Sequence, residues 1–285
     1  MTFLSAPRII RTGASKLASS PLSAKFGISV IILYTLAALF APHLAPYSEA
    51  EIVATPFEPW SAQFWLGTDS LGRDMFTRLM FGARNTLGIA LMTTVLAFSI
   101  GASAGLAAAT FGGWTDQLLS RLVDVLMSIP QLIFALLLLS IFGTSIPALV
   151  IVIAVLDSTR VFRLARAVAI NAAVSDYVEV SRLRGEGPIW IMTREILPNI
   201  APTLISEFGL RFCFVFLLIS GLSFLGLGIQ PPTADWGSMV RDSATLITYG
   251  DITPLLPAGA IALLSVAINM VVDWLLHWAS GLNEH

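Results

Sequence analysis

Apolar positions run on through stretches long enough to cross a bilayer, and the polar positions gather between them. A spanning helix needs about 20 apolar residues. On that measure the pattern predicts six spans, at about 26–45, 85–111, 122–142, 146–164, 200–227 and 255–278. Pro42 closes the first run where a cleavage site would be wanted, so the first span reads as a retained helix rather than a signal peptide. Small residues crowd the second span, with Gly101, Ala102, Ala104, Gly105, Ala107, Ala108 and Ala109, and small faces let membrane helices pack closely. Gly112-Gly113 should end it, with a short polar link following. Pro130 interrupts the third span and predicts a kink, and Gly143-Thr144-Ser145 predicts a tight turn before the fourth.

Few charges enter these spans. Asp157 and Arg160 stand three residues apart on the fourth and are expected to pair on one face near the membrane edge. Glu207 and Arg211 stand four apart on the fifth, in the Glu-before-Arg order that favours pairing. With Asp157 they are candidates for the lining of a translocation pathway, against the rival reading of a helix interface.

The segment 176–199 is a charged island. Asp176, Glu179, Arg182, Arg184, Glu186, Arg194 and Glu195 exclude it from lipid. It reads as two short helices with a turn. Asp176 can cap the first, with Glu179 in capping-box spacing; Gly185 suits a left-handed stop, and Pro188 the first turn of the second. A second polar stretch, 46–84, contains Gly67-Thr68-Asp69-Ser70-Leu71-Gly72-Arg73-Asp74 and then an amphipathic segment with Arg78 and Arg84. Gly67 and Gly72 allow tight turns, and Asp69, Arg73 and Asp74 are expected to pair and hold the loop's shape. Gly228 and the prolines after it should stop the fifth span.

Composition narrows the class further. The chain has 285 residues, is 56% hydrophobic and 12% charged, and has a mean hydropathy of +0.81, the profile of an integral membrane protein. The net charge of -2 says nothing about nucleic acid, but the sixteen basic residues form no dense run, and no nucleic-acid partner is expected. The single cysteine, Cys213, allows no internal disulfide. Lys16 and Lys25 are the only lysines and neither follows a glycine-rich turn, so this chain has no phosphate loop. His43, His277 and His285 lack metal-ligand spacing, and no catalytic constellation is visible.

The 176–199 island resembles the signature loop of ABC importer permeases: Glu-Ala-Ala, three residues, Gly, nine residues, then Ile-x-Leu-Pro. Glu179, Gly185, Leu197 and Pro198 fall on it in register, while Val180 and Ser181 replace the alanines and Glu195 the isoleucine. The 67–74 run, the Ser223–Gly228 and 231–237 runs, and Asn269 and Asp273 are similar to the dipeptide, oligopeptide and nickel branch, in its second, C-type permease. The resemblance implies an all-α type I permease with six transmembrane helices, in which residues 85–278 form a five-helix core containing the 176–199 loop. It implies a heterodimer with a sister permease, two cytoplasmic ATPase subunits that hold ATP and Mg, an extracytoplasmic substrate-binding protein, and no cofactor on this chain. Glu179, Val180, Ser181, Gly185, Leu197 and Pro198 would contact or position the ATPases.

Basic residues orient such a chain, because short cytoplasmic loops collect them. Arg8, Arg11, Lys16, Lys25, Arg121, Arg160, Arg163, Arg166, Arg182, Arg184 and Arg194 fall on the side of the amino terminus, against Arg73, Arg78, Arg84 and Arg241. The expectation is a bacterial-type inner-membrane protein with a cytoplasmic tail at 1–25, 46–84 outside, and a cytoplasmic carboxyl end at 279–285. An ion-coupled secondary transporter and a membrane scaffold or receptor are the rival readings.

Overall fold

A computed structural model describes residues 20–279; the expected tail up to residue 19 and the end beyond residue 279 lie outside them. The described residues form helices α1 (Leu22–Leu44), α2 (Met75–Phe111), α3 (Gly113–Met127), α4 (Gln131–Phe142), α5 (Ile146–Ala173), α6 (Asp176–Leu183), α7 (Leu197–Phe224), α8 (Trp236–Ser243) and α9 (Leu255–Ala279). Their only β pairing is an isolated bridge between Thr68 and Asp74.

Among the described residues four helical stretches are long and apolar enough to cross a membrane: Leu22–Leu44, Met75–Phe111, Pro188–Phe224 and Leu255–His277. The pair α3 and α4 qualifies as a fifth only if it is one broken span, bent by 86°. Length and apolarity alone therefore mark four or five of the six expected spans among the described residues. α5 has the length, at 28 residues, but carries Asp157, Arg160 and Arg163 within its first 18.

Pro130 makes a corner where a kink was expected. Ser128 and Pro130 separate two complete helices, and Pro130 has left helical geometry with ψ 126°. A proline cannot supply the N–H that would continue the ladder, and it disfavours helix in the residue before it. The expected polar link at 113–121 is the start of α3, none of whose residues is buried.

Two helices run further than hydropathy indicated. α2 starts at Met75 rather than 85, because Asp74 caps it by accepting from Thr77 N at 2.7 Å. α5 continues past 164 to Ala173 through Arg163 and Arg166. Hydropathy reports the solvent along a helix, and a helix continues wherever its backbone ladder is unbroken. α7 stops at Phe224 because Gly226, at φ +89°, takes the left-handed turn assigned above to Gly228.

The most extensive packing joins α2 to α5, through the small residues of α2. A Cβ on Gly101 would lie 2.7 Å from Val161 Cβ, and one on Gly105 2.9 Å from Ala165 Cβ. Gly101→Val should therefore cost about 1–3 kcal/mol by overpacking. The measurement is the thermal midpoint of the detergent-solubilised complex, expected to fall; an unchanged midpoint would contradict the close approach.

Trp236 ties the other helices together. Its ring sits edge-on to Tyr34 of α1 at 5.5 Å and to Phe216 of α7 at 6.3 Å, and its Nε1 donates to Leu79 O of α2 at 2.9 Å. A second apolar cluster lies apart from this main core. Leu106, Ala165 and Ala169 meet Val178, Ile191, Ile196 and Ile200 there, so the charged island is rooted on the ends of α2 and α5.

Candidate functional site

Three places gather the chain's charge, and the island is the first. α6 begins after Ser175, which sits in the N-cap position without a side-chain cap bond. Asp176 is therefore not the cap expected of it; it lies in the first turn with Glu179, where both carboxylates face the positive end of the helix dipole. Gly185 closes α6 at φ +82°, with its N–H on Arg182 O and that of Glu186 on Ser181 O. Pro188 opens a helical turn at Pro188–Trp190, and a π-helical turn, Ile191–Ile196, runs from it into α7 without a break. The second half of the island is thus the foot of a membrane-spanning helix.

Within the signature, Glu179, Val180, Gly185 and Pro198 are exposed, Leu197 is half-buried and Ser181 is buried. The same island also exposes large apolar side chains, Tyr177, Leu183, Ile189 and Trp190. A segment too charged for lipid that still exposes large apolar side chains suits contact with another protein.

The second place lies inside the bundle. Arg211 Nε stands 2.7 Å from Glu207 Oε1, and Nη1 stands 3.8 Å from Asp157 Oδ1 on α5. Its guanidinium also lies over the Phe214 ring at 4.9 Å. Arg160 is not Asp157's ion-pair partner. Asp157 is 1% exposed and turned into the bundle, whereas Arg160 is exposed, so the edge-of-membrane pair is replaced by a buried cluster of two carboxylates about one guanidinium. The partner of Asp157 comes from another helix, which local spacing does not reveal. A cavity of about 130 Å³ opens close by at the α3–α4 corner, lined among others by Pro130, Gln131, Thr159 and Arg160.

The third place is the 46–84 segment. Gly67 and Gly72 have φ of +72° and +78°. Asp69 holds the loop: Oδ1 accepts from Leu71 N and Arg73 N, and Oδ2 lies 2.7 Å from Arg73 Nε and 3.2 Å from Arg78 Nε. Asp74 serves as a helix cap instead of joining this pair. Thr68 Oγ1 donates to Thr55 O and accepts from Glu58 N.

Sequence reasoning missed two residues here. Glu49 accepts from Asn85 Nδ2 at 3.0 Å and Ala234 N at 3.1 Å. Asp235 caps α8 through Ser238 N and accepts from Thr86 Oγ1; burial pushes its carboxyl up, and these hydrogen bonds pull it down. Both join segments far apart in the chain, so no motif spacing could have revealed them. Among the described residues no group of three or more His, Cys, Asp or Glu could hold a metal ion.

An apolar-surfaced helical bundle with charge held at its middle, and a charged loop continuous with one of its spans, defines a multi-pass membrane transport protein. Residues 99–280 match the family described as binding-protein-dependent transport system inner membrane component, and the chain belongs to that family. It is 37% identical to the di/tripeptide transport system permease protein DppC of Pseudomonas aeruginosa, over 87% of this chain and 84% of that one. It is 34% identical to the dipeptide transport system permease protein DppC of Alkalihalophilus pseudofirmus, over 87% of this chain and 82% of that one. A putative peptide permease of Brucella suis is 37% identical over 89% of this chain and 85% of its own. The resemblance read from the motifs therefore holds. The chain is an inner-membrane permease subunit and not an enzyme on its own, and its family works with ATPase and substrate-binding partners.

Proposed function

We propose that this chain is one half of the translocation pathway of an ATP-driven peptide importer. It pairs with a sister permease, contacts two cytoplasmic ATPase subunits that carry ATP and Mg, and receives its substrate from an extracytoplasmic binding protein. The 176–199 loop is the contact with the ATPases. The observation that carries this reading is the uninterrupted run from Pro188 through the π turn into α7, which makes the loop and a membrane span one body. Motion imposed on the loop then reaches Glu207 and Arg211 along a single helix. These two and Asp157 line the pathway at mid-membrane depth. The relatives named for di- and tripeptides support short peptides as the substrate class. The test is uptake of labelled di- and tripeptides by proteoliposomes holding the purified complex and its binding protein. ATP-dependent accumulation is expected, and uptake without ATP, driven by an ion gradient, would overturn the reading.

In this orientation the amino terminus is cytoplasmic and 46–84 faces outward, toward the binding protein. Single cysteines at Ser48 and Ser70, placed after Cys213→Ser, should react with an impermeant thiol reagent in intact spheroplasts. Labelling that appears only after lysis would reverse the orientation.

A further inference from the structure

Two departures from the family's signature touch one another. Ser181 stands where the pattern has alanine and Glu195 where it has isoleucine, fourteen positions apart, on α6 and on the π turn. Ser181 Oγ lies 2.9 Å from Glu195 Oε1 and accepts from Arg184 Nη2 at 3.0 Å. Arg184 Nη2 lies 3.7 Å from the same carboxylate oxygen, and its guanidinium stands 5.9 Å over the Trp190 ring.

Each group has a reason to be in this contact. Ser181 is 1% exposed, and a buried hydroxyl requires partners. Tyr177 O at 3.1 Å is a second acceptor for its single proton, and a carboxylate is the stronger one. Arg184 is the C-cap of α6, directly before Gly185, so its side chain folds back across the turn. The π turn carries Glu195 at the foot of α7. The three side chains therefore tie the exposed half of the island to the half that is continuous with the membrane span. An alanine and an isoleucine would make the same join by apolar packing alone.

We infer that Ser181, Arg184 and Glu195 form a polar staple that transmits motion between the ATPase-facing helix α6 and the span α7, replacing an apolar contact at these two signature positions. They are positioning residues that act through the loop. The inference rests on the coupling role proposed for this loop. Both halves of the replacement must change together, because each single change leaves one group without its partner. Ser181→Ala leaves the half-buried Glu195 carboxylate with only a partly exposed arginine. Glu195→Ile takes the carboxylate from Arg184 and leaves the Ser181 hydroxyl only Tyr177 O as acceptor. The double variant S181A/E195I restores an apolar contact.

The experiment is a double-mutant cycle in the reconstituted importer, read as the ratio of substrate-stimulated to basal ATP hydrolysis, with recovery of the whole complex as the control. Each single variant should lower the ratio about threefold or more with normal recovery. S181A/E195I should return it to near the parental value, and Glu195→Gln, which keeps a hydrogen bond to Ser181, should fall between. Additive losses in the double variant would overturn the staple. Parental ratios in both single variants, alongside a reduced ratio in Gly185→Val, would overturn it too. A parental ratio in Gly185→Val would instead remove the coupling role of the loop, and the staple with it. Loss of complex recovery in the single variants that the double variant repairs would make the contact structural only and overturn the transmitting role.

Discussion

Gly185→Val is expected to abolish most of the substrate stimulation of ATP hydrolysis while the chain still inserts in the membrane. Gly185 sits at φ +82°, and a β-branched residue there is strained whatever space surrounds it. Space is not the difficulty, since a Cβ at Gly185 would meet nothing within 4 Å. The cost is conformational, about 1–3 kcal/mol for a residue forced into such a region. That is enough to shift the turn's population roughly 5- to 150-fold away from the form that returns the chain to Pro188. α6 would then be misdirected relative to the π turn, with the apolar core of the bundle untouched. Gly185→Asn separates the two effects, because asparagine tolerates left-handed geometry. It should retain most of the stimulation, and complex recovery with ATPase subunits should follow the same order. Equal behaviour of Val and Asn would show that the turn's geometry is irrelevant to coupling.

The turns of this protein were legible because their chemistry is local. Gly67, Gly72 and Gly185 all take positive φ where the sequence called for tight turns, and Pro188 opens a helix as proline at the first position should. What local chemistry left hidden divides into two kinds. One is the length of helices that leave the lipid: the first turns of α2 and the last of α5 carry arginines, so hydropathy ended the spans early although the ladders continue. The other is pairing across helices. Asp69 was expected with Arg73 and indeed lies beside it, but Arg78 lies on the same carboxylate. Asp157 was matched with Arg160 by spacing and instead faces Arg211, because burial of the α5 face decides which neighbour is in reach. The corner at Pro130 belongs here too. Sequence shows that the ladder breaks, and packing of α4 against α5 sets the direction in which the chain resumes.

Arg211→Gln should let the importer assemble and lower its transport rate about tenfold or change its preference among peptides. Arg211 lies fourteen residues into the 28-residue α7, about 21 Å along its axis and so at the middle of that helix, which the proposed orientation sets at mid-membrane depth. An uncompensated charge there costs about 2.5–3.5 kcal/mol on insertion scales. Replacing the guanidinium by an amide leaves Glu207 and Asp157 without their ion-pair partner, and Asp157 is only 1% exposed. The amide retains donors toward Asp157 and a volume near that of the parent, which favours assembly. Arg211→Leu retains neither and should lower the yield of complex sharply, because the buried carboxylate loses its ion-pair partner. The assembled Gln variant then reports on the pathway. A cluster of two carboxylates and one guanidinium that lines the route sets the local field for a zwitterionic peptide, so initial rates for acidic, neutral and basic dipeptides should shift by different factors. Parental rates for every peptide would remove the cluster from the route. Failure of the Gln variant to assemble would make the cluster a lock between helices, with α5 and α7 held together by Asp157 and Arg211.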